Sequence, residues 1–84
     1  MKLLKFSASW CAPCKQLSQV IESLNIQTEI QHVDIEDNSE MAAKFKVRAV
    51  PTLVLVEGDS ELSRTMGAKT RDQLSSWLTT NKVN

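Results

Sequence analysis

Three features of the sequence predict an α/β fold with elements in the order β-α-β-α-β-β-α. Apolar runs with strand character alternate with stretches whose apolar residues recur at helical spacing. The last two strands are separated by Glu57-Gly58-Asp59-Ser60, a turn sequence that makes them a hairpin. Between the first strand and the first helix lies Trp10-Cys11-Ala12-Pro13-Cys14, which holds the only two cysteines of the chain.

Lys2 to Ser7 (KLLKFS) reads as the first strand. From Pro13 onward Leu17, Val20, Ile21 and Leu24 form a helical apolar stripe, so the strand runs into a helix at Cys14. Pro13 suits the first turn, where its missing N–H would have no intrahelical partner, and it pushes Ala12 towards an extended conformation. In Thr28 to Ile35 (TEIQHVDI) the apolar residues do not alternate perfectly, but the β-branched content favours a second strand. Ser39 is the expected N-cap of a short second helix carrying Met41, Ala42, Phe45 and Lys46, with Glu40 near its positive end. Thr52 to Val56 (TLVLV) follows Pro51 as a continuous apolar run, the pattern of a strand covered on both faces, and Glu61 to Met66 returns beside it. Thr70 is positioned to cap a last helix with Leu74, Trp77 and Leu78 on one face and Asp72 in its first turn. No repeat, low-complexity tract or linker divides the chain, so residues 1–84 are expected to form one domain.

Composition narrows the function. Ten Lys and Arg balance ten Asp and Glu, which leaves no bulk basic field for a phosphate backbone and argues against nucleic-acid binding. Met1 to Leu4 is far short of a signal-peptide core or a membrane span, and small secreted domains are usually disulfide-dense. A soluble protein of the reducing cytoplasm is the expectation. The acidic Asp34, Glu36, Asp37 and Glu40 and the basic Lys44, Lys46 and Arg48 form a solvated face, though Arg48, close to Val50-Pro51, could also steer a charged partner.

Two thiols three positions apart can close a small disulfide ring, and a helix N-terminus beside the first sulfur favours its thiolate, the form that attacks other disulfides. The alternative is a pair of structural thiols. Zinc is disfavoured because a four-ligand site needs two further Cys or His and only His32 is present, so neither a metal nor another cofactor is expected. Trp10 could pack in the core, but a Trp directly before the first cysteine at a loop tip more readily shields sulfur and contacts substrate. Trp77, Leu4, Phe6, Phe45, Leu53 and Leu55 read as packing residues, and His32 as a strand histidine with no catalytic role.

The element order, the WCAPC segment, Val50-Pro51-Thr52 before the third strand and Gly67-Ala68 after the fourth together resemble the thioredoxin family over nearly the whole chain. Full-length members carry a further strand-helix unit before the active-site strand, so this chain resembles a miniature form whose second strand becomes an edge. The resemblance implies a four-stranded mixed sheet in the order 2-1-3-4 with helices on both faces, and a cis bond between Val50 and Pro51. It makes Cys11 the nucleophile at an exposed mouth and Cys14 the more shielded resolving thiol. It places Trp10, Ala12, Pro13, Val50, Pro51, Gly67 and Ala68 along the substrate cleft, with the backbone of Val50 free to pair with an extended substrate.

One position departs from the family. Thioredoxins typically bury an aspartate five residues before the active-site Trp, where it helps move the proton of the resolving cysteine; here that residue is Lys5. Beneath the sulfurs an ammonium would favour thiolates and stabilise the reduced form, and each ~1.4 kcal/mol of such stabilisation raises the potential by ~30 mV. A buried neutral amine could instead act as a base, or the stem could snorkel to solvent with no role.

The resemblance implies a thiol-disulfide oxidoreductase that reduces protein disulfides through its own Cys11–Cys14 couple, as a monomer recharged by a thioredoxin reductase-like donor, with ribonucleotide reductase among the implied substrates. Ala12-Pro13 lacks the histidine of isomerase-like motifs, which makes reduction the default direction. A glutaredoxin shares the shorter architecture, but it would carry a Pro-aromatic pair in place of Ala12-Pro13 and a double glycine in place of Gly67-Ala68. A third reading is a binding subunit in which the surface of the fold, and not its thiols, is required.

Overall fold

The structure, a computed structural model, describes residues 1–83. Its elements are β1 (Lys2–Ser7), α1 (Ala12–Leu24), β2 (Glu29–Asp34), α2 (Ser39–Lys44), β3 (Thr52–Glu57), β4 (Ser60–Met66) and α3 (Arg71–Thr80). The four strands form one mixed sheet in the order β2-β1-β3-β4, as the resemblance implies. β1 runs parallel to β2, with Leu3 beside Ile30 and Phe6 beside Val33, and antiparallel to β3, with Lys5 beside Leu53. β3 and β4 form the hairpin, with Thr52 opposite Met66 and an irregularity between Leu55 and Val56.

The two central strands explain their own sequences. Successive side chains point to opposite faces, so a strand covered on both sides must be apolar at nearly every position. Leu3, Leu53 and Leu55 pack on one face against Leu17 and Ile21 of α1 and Leu74 and Leu78 of α3. Leu4, Phe6, Val54 and Val56 pack on the other against Val33 of β2, Ala42 of α2 and Phe45. Phe6 and Phe45 meet with ring centroids 6.1 Å apart and tilted by 58°, a favoured aromatic geometry. The edge strands β2 and β4 are half exposed, and their sequences are correspondingly mixed.

The helix ends follow local chemistry. α1 stops at Asn25, whose φ of 51° and ψ of 53° place it in the left-handed region where asparagine is tolerated. α3 begins with a capping box: the Gln73 N–H donates to Thr70 Oγ1, and Gln73 Oε1 accepts from the Thr70 N–H. Two expectations shift. Ser39 is the first residue of α2 and not its cap; Asn38 holds the cap position without a side-chain bond. The turn forms earlier because Asp34 Oδ1 accepts from the N–H groups of Glu36 and Asp37, at 2.8 and 3.3 Å. At the other end, Lys46 has a φ of 54°, so the helix cannot run on through Phe45 and Lys46.

Beyond α2 the chain is tied to the far edge of the sheet. Arg64 of β4 donates from Nη2 to the Phe45 carbonyl at 2.6 Å while its guanidinium forms a paired contact with Glu61. That contact lowers the Glu61 pKa, chiefly through its hydrogen bond with Arg64.

Candidate functional site

β1 delivers the chain to the top of the sheet, and a tight turn, closed by the Cys11 N–H donating to the Ala8 carbonyl at 3.1 Å, starts α1. Cys11 is the N-cap of that helix, with extended backbone, and its Sγ accepts from the Cys14 N–H at 3.2 Å. The helix thus starts at Ala12, earlier than the apolar stripe indicates, because a sulfur takes the place of a capping oxygen. Cys11 and Cys14 form a disulfide with Cα atoms 5.3 Å apart. Pro13 occupies the first turn, and no acidic residue there opposes the positive end of the helix.

The two sulfur residues are covered almost equally, Cys11 at 4% and Cys14 at 3% exposure. The expected contrast between an exposed nucleophile and a shielded partner is therefore absent in this disulfide form, where both pack with Ala8 under Ile35 and Val50. What distinguishes Cys11 is its position at the helix cap. Around the pair, Trp10 is 67% exposed and contributes nothing to the core, and Ala12 and Pro13 are also exposed.

The second wall comes from the segment before β3. The Val50–Pro51 peptide is cis, and Val50 is half-buried against the sulfur cluster. Thr52 Oγ1 donates to the Ala49 carbonyl at 2.7 Å, and the Pro51 carbonyl accepts from the Gly67 N–H at 2.9 Å. That bond places the start of Gly67-Ala68 beside Pro51. Gly67 has a φ of 85°, which L side chains rarely adopt, whereas a Cβ there would meet only Lys69 Nζ at 4.0 Å. Conformation, more than space, requires glycine.

Lys5 does not snorkel. It points from β1 towards α1, is 5% exposed, and donates from Nζ to Ser18 Oγ. Ser18 in turn donates to the Cys14 carbonyl at 3.0 Å. Burial pulls the Lys5 pKa down, and the negative charge of Glu22 opposes that in part. The amine borders a cavity of about 320 Å3, with Ser18, Glu22, Asn25 and His32 among the lining residues. Sequence reasoning missed Ser18. Its spacing of four from Cys14 puts both on one helix face, but only the packing of α1 over β1 brings Lys5 to it. Among the described residues no cluster of three or more His, Cys, Asp or Glu is arranged to hold a metal, and no helix is long and apolar enough to cross a membrane.

Comparison with known proteins agrees with this geometry. The thioredoxin family model matches residues 1–80. A thioredoxin of Chlamydia caviae is 39% identical over 75 residues, covering 86% of this chain and 74% of the relative. A bifunctional thioredoxin reductase/thioredoxin of Mycobacterium leprae is 37% identical over 71 residues, 80% of this chain and 16% of that protein. The X-ray structure of Fasciola hepatica thioredoxin superposes with a TM-score of 0.82 at 32% identity, covering 94% of this chain and 78% of the other. A shared sheet order and a cysteine pair at the head of the first helix are thus matched by sequence similarity along most of the chain, which belongs to the thioredoxin family.

Proposed function

We propose that this protein reduces disulfides in other proteins by dithiol-disulfide exchange. The observation that carries the reading is the Cys11–Cys14 disulfide at the N-terminus of α1, with the Cys14 N–H directed at Cys11 Sγ. In the reduced protein that N–H and the positive helix end stabilise negative charge on Cys11, and so favour its thiolate. The thiolate attacks one sulfur of a substrate disulfide; a mixed disulfide forms and the other substrate sulfur leaves as a thiolate. Cys14 then loses its proton and attacks Cys11 Sγ, which expels the second substrate sulfur and restores the intramolecular disulfide. The couple is intrinsic to the chain and calls for no added cofactor.

In this reading Trp10, Ala12, Pro13, Val50, Pro51, Gly67 and Ala68 form the substrate cleft. Exposed Trp10 on one side and the Pro51–Gly67 hydrogen bond on the other support it. An extended segment bearing the disulfide would lie along Val50, with the small Gly67 and Ala68 leaving room for its backbone. Electrons would come from a thioredoxin reductase-type donor. The fusion of the two activities in the Mycobacterium leprae relative supports this pairing. Ribonucleotide reductase is a candidate among the protein disulfides served. We assign residues 1–84 to one domain acting as a monomer in the cytoplasm, on the strength of a chain with only two cysteines, both in the exchanging pair.

The test is reduction of insulin disulfides with thioredoxin reductase and NADPH, run beside a glutathione-coupled assay. Turnover with the reductase that is abolished in Cys11→Ser is the expected result. Turnover confined to glutathione would overturn the assignment, and cellular function preserved in a Cys11→Ser, Cys14→Ser variant would show that the surface and not the thiols is what the cell uses.

A further inference from the structure

Lys5 is the only Lys, Arg, His, Asp or Glu side chain buried in the cores of the described residues, and the hydrogen bonds of the site run straight from it towards Cys14. An ammonium has three donors. One is used on Ser18 Oγ, and the Ser18 hydroxyl in turn donates a hydrogen bond to the Cys14 carbonyl, one turn earlier in the helix. The cavity bordering Lys5 opens between α1 and β2, giving a covered amine a route for exchange with solvent. Buried charge is costly unless another charge compensates it, and the disulfide beside this network is neutral. On reduction, a thiolate appears at Cys11.

We propose that Lys5 is a redox-linked proton site, neutral when Cys11 and Cys14 are joined and protonated when Cys11 is a thiolate. The inference rests on Cys11 and Cys14 being the exchanging pair. The reaction balances without another reagent. Two electrons and two protons convert the disulfide and neutral Lys5 amine into a Cys11 thiolate, a Cys14 thiol and a Lys5 ammonium. When the protein reduces a substrate disulfide, the Cys14 and Lys5 protons are released through solvent and neutralise the two substrate thiolates. Lys5 touches neither sulfur. It acts through Ser18, the cavity and its charge, and is thus a positioning residue.

The groups facing Lys5 favour this assignment. From α1 comes Glu22, which shares the cavity and whose negative charge favours the ammonium in part. From β2 come His32, in register with Lys5, and Asp34, whose carboxylate is occupied by the Glu36 and Asp37 N–H groups. β3 presents Leu53 and Leu55 to this core and α3 presents Leu74 and Leu78, none of them titratable. Burial in that apolar surround lowers the Lys5 pKa in the disulfide form.

The experiment is an NMR titration of the Lys5 side-chain 13Cε signal in the full chain, from about pH 6 to about pH 11, in the disulfide and the reduced forms. The signal is assigned by its loss in Lys5→Met. The expected result is a Lys5 midpoint about one pH unit higher in the reduced form, roughly a tenfold change in its proton dissociation constant. The same midpoint in both forms, or a lower one on reduction, overturns the proposal. Because coupling is reciprocal, Lys5→Met should raise the Cys11 thiol midpoint by the same factor, read from the pH profile of alkylation; an unchanged profile also overturns it. Should Lys5→Met not fold, the signal is assigned by correlation to the Lys5 backbone and the wild-type titration decides alone. Insulin reduction by the wild type tests the exchange reaction itself, so failure of that reading and failure of the proton linkage are separate observations.

Discussion

The two faces of β1 are built to different standards. Leu4 and Phe6 pack under α2 among apolar residues and the uncharged Thr52 opposite Phe6, while the face under α1 places Leu3 next to a buried lysine. Both are central and closely covered, so burial alone does not separate them. The difference lies in what each face supports: the apolar one holds the sheet to α2 and the loop beyond it, while the other carries the helix that presents the cysteines. An ionisable group is retained in the core on the side where the chemistry is.

Replacements on the two faces should therefore separate stability from redox behaviour. The largest effect is expected from Phe6→Ala, which empties the contact with Phe45 and should cost about 3–5 kcal/mol in urea unfolding, a large part of the stability of so small a domain. The activity of the molecules that remain folded should be unchanged. Next comes Ser18→Ala on the opposite face, which leaves the Lys5 amine without its hydroxyl partner and should cost about 1–3 kcal/mol; an alkylation profile of Cys11 moved along with it would link the two ends of the network. Thr70→Ala removes the capping box of α3, packed on the same face, and should cost about 1 kcal/mol with no change in the Cys11 profile.

The smallest and most specific effect is on pH dependence. The folded-state pKa of Lys5 lies below its ordinary 10.5, so the unfolded chain binds more protons and stability should rise with pH from the lowered value up to about 10.5. Lys5→Met should abolish that rise in denaturation midpoints measured across the window. A rise that persists in the variant would place its origin elsewhere.

The contrast between faces also sets what the sequence could reveal. Cys11, Cys14 and Pro13 lie close together in the chain, Pro51 precedes a strand whose apolar run is unmistakable, and Gly67 ends the hairpin that this strand begins, so their placement was legible. β1 and β3 were legible too, because covering both faces of a strand forces an apolar run on it. Lys5 was not, since whether a lysine stem reaches solvent depends on how closely α1 lies over β1, and Ser18 gains meaning only from that packing. The even covering of the two sulfurs was hidden for a related reason: it arises from Ile35 and Val50, which come from other segments. α2 starts one residue before the position that cap preferences indicate, because Asp34 forms the preceding turn from outside the cap itself.

Arg64 ties two distant parts of this molecule into one opening unit. Its guanidinium reaches from the edge strand β4 to the carbonyl of Phe45, at the head of the segment that leads to Val50 and Pro51. Fraying of β4 therefore frees the near end of one wall of the proposed cleft at the same moment, and the Gly67 N–H, bonded to the Pro51 carbonyl, releases the other end. In hydrogen exchange the amides of β4 and of residues 46–50 should share one opening free energy, below that of β1 and β3. The cleft would then loosen as a unit with the outer strand of the sheet while the central strands beneath the cysteines stay closed.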